Sequence, residues 1–324
     1  MKFIKIIPIC ADSLGTRSMC LFVETPDIKI LIDPNAILSV RYKLPPHPIE
    51  YKTLKDCIDS IVNFSKKADY LFISHYHYDH YMPFFEDYTF MYTNSSIAEN
   101  VYLNKVLFLK DINSAIDSWQ QKRGEIFLHK IKKLTDHINY VDGKRFEYGN
   151  TVIQFSPPMP HGSIEHRGFV VMMTVMYDIE KFIFASDVYG IPSTETLTYI
   201  LKESPDWIYL AGPPLYLEGI KIGPIAIKKS KENLSRLATR TNIIIDHQLV
   251  RSHNWKTWLQ DIRFISESHN NIVSTVAEFL KEDFKLYEVN RDSLWEKYPP
   301  DDRFIEWTKL DKSLRKITPP PIIL

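Results

Sequence analysis

The stretch Ser74-His75-Tyr76-His77-Tyr78-Asp79-His80 places three imidazoles and one carboxylate within six positions, directly after the apolar run Tyr70-Leu71-Phe72-Ile73. Such groups are costly to bury unless something binds them, and the partner that suits imidazole and carboxylate together is a metal ion. Side chains alternate along a strand, so His75 and His77 leave it on the same side. Asp79 and His80 stand in the turn beyond, able to face a second ion. The plainer reading is a cluster of histidines in an exposed loop. The His-x-His-x-Asp-His spacing after a buried strand argues against it.

Two ions need further ligands from other strand ends, and the sequence supplies them. His161 follows Pro157-Pro158-Met159-Pro160, Asp187 follows Phe182-Ile183-Phe184-Ala185-Ser186, and His247 follows Asn242-Ile243-Ile244-Ile245-Asp246. Asp33 closes the run Ile28-Lys29-Ile30-Leu31-Ile32, where a carboxylate is placed to hold a ligand histidine by a hydrogen bond. Taken alone, an aspartate there is more often a turn former. Arg17, His47, Tyr216, Arg251 and His253 are the candidates for substrate contact or leaving-group protonation, set against the ordinary role of such loop residues in capping and packing.

The elements that must position these groups read as strands near both ends of the chain with helices between. Leu54, Ile58, Ile61 and Val62 recur at helical spacing within 49–64, and further helices are expected over 194–203, 226–237 and 255–280. The proline-dense 41–48 cannot be helical. A short strand is expected at 90–93, then a mostly helical stretch over 95–134 whose lysines and Arg123 read as a solvated face. These elements group into a domain over 1–260 with a helical insert at about 94–136, followed by C-terminal helices and an extended proline-rich arm over 261–324, packed on the same domain.

With 324 residues, 44% of them hydrophobic, the chain is long enough to bury a large core. Lys+Arg and Asp+Glu both total 40, so no global field draws in nucleic acid or an anionic membrane; nucleic acid would need a local basic patch. Apolar runs stop far short of the ~20 residues that span a bilayer. Cys10, Cys20 and Cys57 lack the spacing of a thiolate zinc site and point to a reduced, cytoplasmic setting. The N-terminus is too interrupted by lysine and proline for a signal peptide.

In their order along the chain, Asp33, His75, His77, Asp79, His80, His161, Asp187 and His247 resemble the metallo-β-lactamase fold superfamily of binuclear hydrolases, over about residues 3 to 250. That likeness implies an α/β fold, the four-layered α/β-β/α sandwich of two mixed β-sheets flanked by helices, with the site where strand ends converge. It implies two divalent metal ions, zinc or else manganese or iron. His75, His77 and His161 would hold one, Asp79, His80 and His247 the other, and Asp187 would bridge both. Asp79 and Asp187 would orient the attacking water, and Asp33 would fix a ligand imidazole.

The chain is also similar to an uncharacterised, mainly archaeal branch, which shares Ser13-Leu14-Gly15, Arg41-Tyr42, Leu44-Pro45-Pro46-His47-Pro48-Ile49-Glu50 and Asp246-His247. It departs from common members in Tyr81-Met82-Pro83 and in Gly162. Only sixty positions separate Asp187 from His247, too few for the inserted domain of the nucleases of messenger-RNA processing.

The expected activity is hydrolysis of a small-molecule or nucleotide substrate. A phosphodiester bond is favoured, because Arg17 and Arg251 lie beside the site loops and guanidinium suits phosphate oxygens. Hydrolysis of a carboxylic ester, lactone or thioester is the alternative, and a redox or interaction protein on the same fold is a third.

Overall fold

A computed structural model describes residues 2–162 and 168–322. The first half runs β1 (Lys5–Pro8), β2 (Leu21–Glu24), β3 (Lys29–Ile32), α1 (Pro48–Ser65), β4 (Tyr70–Ile73), α2 (Ser95–Tyr102), β5 (Val106–Leu109), α3 (Ser118–Ile131) and β6 (Ile138–Tyr140). Its strands form one sheet in sequence order, antiparallel from β1 to β3 and parallel from β3 to β6.

The second half runs β7 (Arg145–Tyr148), β8 (Thr151–Phe155), the small pair β9 (Met159–Pro160) and β10 (Phe169–Val170), β11 (Met173–Tyr177), β12 (Glu180–Ser186), α4 (Thr194–Glu203), β13 (Trp207–Ala211), α5 (Pro224–Ala238), β14 (Asn242–Asp246), α6 (Trp255–Glu267), β15 (Val273–Ser274) and α7 (Val276–Leu280). The second sheet has the order β15-β14-β13-β12-β11-β8-β7, and β12 to β15 run parallel. Three short helices close the chain: α8 (Arg291–Lys297), α9 (Asp302–Lys309) and α10 (Lys312–Ile317).

Alternation along the apolar strands sets the layers. On β4, Leu71 and Ile73 join a core with Leu54, Ile58 and Ile61 of α1 and Phe127 of α3, whereas Phe72 faces the other way into a core with Phe155, Phe182 and Phe184. On β12, Ile183 and Ala185 pack with Leu197, Leu234 and Leu259 from α4, α5 and α6. A strand covered on both faces must be apolar at every position, which is why these runs are continuous. Helices, sheet, sheet and helices therefore stack as the four layers that the metallo-β-lactamase likeness implies. Among the described residues, no helix is long and apolar enough to cross a membrane.

Five expectations change. The helix expected over 255–280 breaks into α6 and α7, because β15 lies between them and pairs with β14. The stretch 95–134 is not wholly helical, because β5 lies inside it and pairs with both β4 and β6. Its four residues are too few to interrupt the helical pattern on either side. At 90–93 there is only an isolated bridge, Asp87 to Thr93. The tail is not simply an extended arm: α9 and α10 form between its prolines, and Phe304 and Trp307 pack their rings 5.8 and 5.3 Å from that of Tyr51 on α1.

The cysteines are the fifth change. Cys10 and Cys57 form a disulfide across a separation of 47, and Cys20 stays free and buried. This pairing removes the argument by which the cysteines pointed to a reducing compartment. Closing a loop of that length restricts the unfolded chain by up to about 4 kcal/mol. Cys57→Ser, or dithiothreitol on the wild type, is expected to cost about 2–4 kcal/mol in denaturant unfolding. An unchanged midpoint would mean that the bridge contributes nothing.

Candidate metal centre

Parallel pairing brings the C-terminal ends of β3 and β4 to one edge of the first sheet, and those of β12 and β14 to one edge of the second. At these ends the backbone turns sharply. Asp33, Ser186 and His247 all adopt left-handed φ, at 45°, 50° and 58°. Each costs an L-residue roughly 1–2 kcal/mol and persists only where surrounding contacts over-determine it. Those contacts are present. Asp33 N–H donates to Phe72 O at 2.8 Å, and Ser74 and Ser186 meet Oγ to Oγ at 2.7 Å, tying the two sheets beneath the site.

Two clusters follow. In one, His75, His77, His161 and Asp187 bring a potential ligand atom each to within 4.8 Å of one another; Asp79, His80 and His247 do the same in the second. Asp187 reaches toward both. Its Oδ2 lies 3.1 Å from His161 Nε2, 3.8 Å from His75 Nε2 and 3.5 Å from His80 Nε2, while its Oδ1 lies 3.4 Å from His247 Nε2. Asp79 offers its two oxygens to His80 and His247 at 3.9 and 3.5 Å.

The outer nitrogens are held so that the inner ones point inward. His80 Nδ1–H donates to Asp33 Oδ2 at 2.7 Å, His247 Nδ1–H donates to Asp12 Oδ2 at 2.7 Å, and His75 Nδ1 meets Ser74 Oγ at 3.0 Å. Asp33 also falls into a possible ligand group with His75 and His80. Its oxygens, however, already accept from Ser74 N, Ser74 Oγ and His80 Nδ1, so it supports a ligand. Asp33→Asn is expected to lower metal affinity roughly 10–100-fold, the usual effect of removing such a support, read by competition with a chelator. An unchanged affinity would assign Asp33 to the fold alone.

The residues fit a cation. His80 Nε2 and Asp187 Oδ1 are buried without a hydrogen bond, although buried polar atoms nearly always have one. Burial, reinforced by neighbouring imidazoles, drives the His75 pKa far down, and burial together with His161 brings His77 to about 3, so both present neutral rings with a free lone pair. At His80 burial acts downward too, but Asp187, Asp33 and Asp79 outweigh it and push the pKa up; Asp12 and Asp187 likewise raise His247 to about 9. Carboxylates that hold protons on their neighbours in this way provide the negative field in which a metal displaces those protons.

The remaining candidates separate. Arg251 is buried and donates from Nε and Nη2 to Asp12, and from Nη1 to Gln248 Oε1 at 2.9 Å and Tyr216 Oη at 3.3 Å. Arg17 makes a two-pronged pair with Glu288, both bonds 2.6 Å. Arg251, through Asp12, and Tyr216 thus form a supporting network behind His247, while Arg17 is held by Glu288 outside it. His47 does not join the centre: it caps α1, its Nδ1 accepting from Ile49 N, while its Nε2 lies 2.7 Å from Tyr298 O. His253 is exposed.

Asp12 and Glu288 went unnoticed in the sequence. Asp12 reads there as part of a polar turn, and its partner His247 lies 235 positions away. The two departures from common relatives have local causes. Tyr81 and Met82 are buried in the helix-side core, with Met82 N–H donating to Tyr102 Oη at 2.8 Å. Gly162 has φ +82° and a Cβ there would lie 2.6 Å from the Tyr189 ring, so only glycine lets that ring pack against His161.

No family model matches the chain. A UPF0282 protein of Methanocaldococcus jannaschii is 38% identical over 294 residues, covering 90% of this chain and 96% of its own length. One from Methanopyrus kandleri is 36% identical over 293 residues, covering 90% and 98%. Among solved structures, a metal-dependent hydrolase of the β-lactamase superfamily aligns with a TM-score of 0.46 and 10% identity over 84% of this chain and 95% of that one. At 36–38% identity over nearly the full length of both relatives, the chain belongs to the UPF0282 family.

Proposed function

We propose that the protein is a binuclear metal-dependent hydrolase, zinc being the first choice of metal and a phosphodiester the first choice of substrate. The observation that carries this reading is Asp187, whose oxygens reach toward both clusters from the end of β12. Two divalent ions bound there would supply Lewis acidity and make a water acidic enough to attack near neutral pH. Asp79 and Asp187 orient that water by their oxygens. Asp33 and Asp12 hold the rings of His80 and His247 in place, and Arg251 keeps Asp12 ionised. His77, Tyr78 and Asp79 are partly exposed while His75, His80 and His247 are buried, so substrate approaches from the side of the motif loop.

Hydrolysis of a carboxylic ester, lactone or thioester is the second reading, and one observation favours it. Arg17 and Arg251, which favoured phosphate, are already matched to Glu288 and Asp12. Metal analysis combined with turnover of bis(p-nitrophenyl) phosphate and of a lactone and thioester panel decides between them. About two ions per chain with phosphodiester turnover is the expected result. Turnover confined to the panel overturns the phosphodiester choice, and no turnover of either overturns the hydrolase.

A further inference from the structure

Beside the metal motif, the loop after His80 and the flank of α3 enclose a cavity of about 360 Å³, within the size range of small-molecule sites. Tyr78, Tyr81, Phe84, Phe85 and Phe127 provide an aromatic wall, and Ile126, 58% exposed, stands at the mouth. Arg123 and Lys130, one helical face along α3, complete the lining. Gly124 allows α3 to come this close, since a Cβ there would lie 3.1 Å from the ring of Tyr76.

The cavity is coupled to the centre through the backbone. The Arg123 guanidinium lies 4.3 Å from the centroid of Tyr78, and its Nη1–H donates to Tyr76 O at 3.4 Å. Tyr76 and Tyr78 alternate with His75, His77 and Asp79, and consecutive Cα atoms are about 3.8 Å apart. One strip of chain therefore carries metal-facing groups and the cavity-facing ring of Tyr78, with Tyr76 buried beneath it. The Tyr81 ring packs 5.7 Å from Tyr78 and 5.2 Å from Phe127, a buried aromatic floor beneath the more open rings of Tyr78, Phe84 and Phe85.

Charge decides the occupant. Among the described residues no carboxylate lines the cavity, and neither Arg123 nor Lys130 has a carboxylate in ion-pair reach. Arg17 and Arg251, by contrast, are each matched to an acid. We infer that this cavity binds an aromatic anion, a planar ring bearing a phosphate or carboxylate, with the ring against Tyr78, Phe84 and Phe85 and the anion at Arg123 and Lys130. Its role as the seat of the substrate's non-reacting part rests on the hydrolase reading; the binding itself does not.

Calorimetric titration of the protein as purified tests it, with adenosine 5′-monophosphate, phenylacetate and uncharged adenosine as probes. At least one anion is expected to bind about tenfold or more tightly than adenosine, and the stronger of the two identifies the source as a nucleotide or an aryl acid. Arg123→Gln and Ile126→Asp, on the open face of α3, should each weaken that anion about tenfold, while His77→Ala leaves its binding in place. Binding lost in His77→Ala but kept in both α3 variants puts the anion on the metals and overturns the inference. So does an affinity for adenosine equal to that for both anions. Absence of hydrolysis with this binding pattern intact would sink the proposed activity and leave the site standing.

Discussion

Asp187→Asn is expected to disable both metal clusters at once, with metal content falling from about two ions per chain to below one and turnover falling by more than about 10³-fold. Loss of a supporting partner typically costs only 10–100-fold, so the difference in scale separates Asp187 from Asp33. The reason is placement. Among the described residues, Asp187 is the side chain with atoms near both His161 and His247, at 3.1 and 3.4 Å. Burial opposes its charge, yet His247 and His80 hold its pKa well below the ordinary carboxylate range. Asparagine keeps the shape, removes that charge, and leaves several imidazoles facing a neutral amide. His161→Ala, by contrast, touches one cluster only and should leave about one ion bound. Elemental analysis after gel filtration reads both variants. Two ions retained in Asp187→Asn would sink the bridging role.

The candidate ligands, and the Asp33 that supports one of them, were legible because of the layers that hold them. A strand covered on both faces is a continuous apolar run, so an aspartate or histidine at its end stands out, as Asp33, His75, Asp187 and His247 do. Groups whose partners lie far along the chain left no such mark. Asp12 pairs with His247, Cys10 with Cys57 and Arg17 with Glu288, and none of these pairs has a period or spacing to read. β5 was hidden for another reason: four residues between two helices do not outweigh the helical pattern around them. The aromatic cavity was also illegible. Its tyrosines and phenylalanines read as core, and only the fold shows that Arg123 reaches them.

Arg291→Ala is expected to cost about 3–5 kcal/mol of folding stability, since it strands a fully buried carboxylate. Arg291 and Glu50 are both completely buried, joined by bonds of 2.8 and 2.7 Å, and Arg291 also donates to Ser39 O and Leu44 O. This ties α8 to the start of α1 and to the loop leading into it. Even with its partner, burial leaves the Glu50 pKa raised above its ordinary 4.5. A carboxyl whose folded pKa lies above its unfolded value favours folding most in acid, and that contribution is lost as pH rises through the folded value. Without Arg291 the folded pKa climbs further, so the deficit of Arg291→Ala should deepen between pH 4.5 and neutrality. Glu50→Leu combined with Arg291→Met removes both charges and should recover most of the loss, the remainder reflecting the two carbonyls and the His47 N–H of the α1 cap left unpaired. Urea unfolding at pH 5 and pH 7.5 distinguishes the cases. A cost under about 1 kcal/mol for Arg291→Ala at both would mean that the C-terminal helices are held by Phe304 and Trp307 against Tyr51, and the buried pair would then be a passenger.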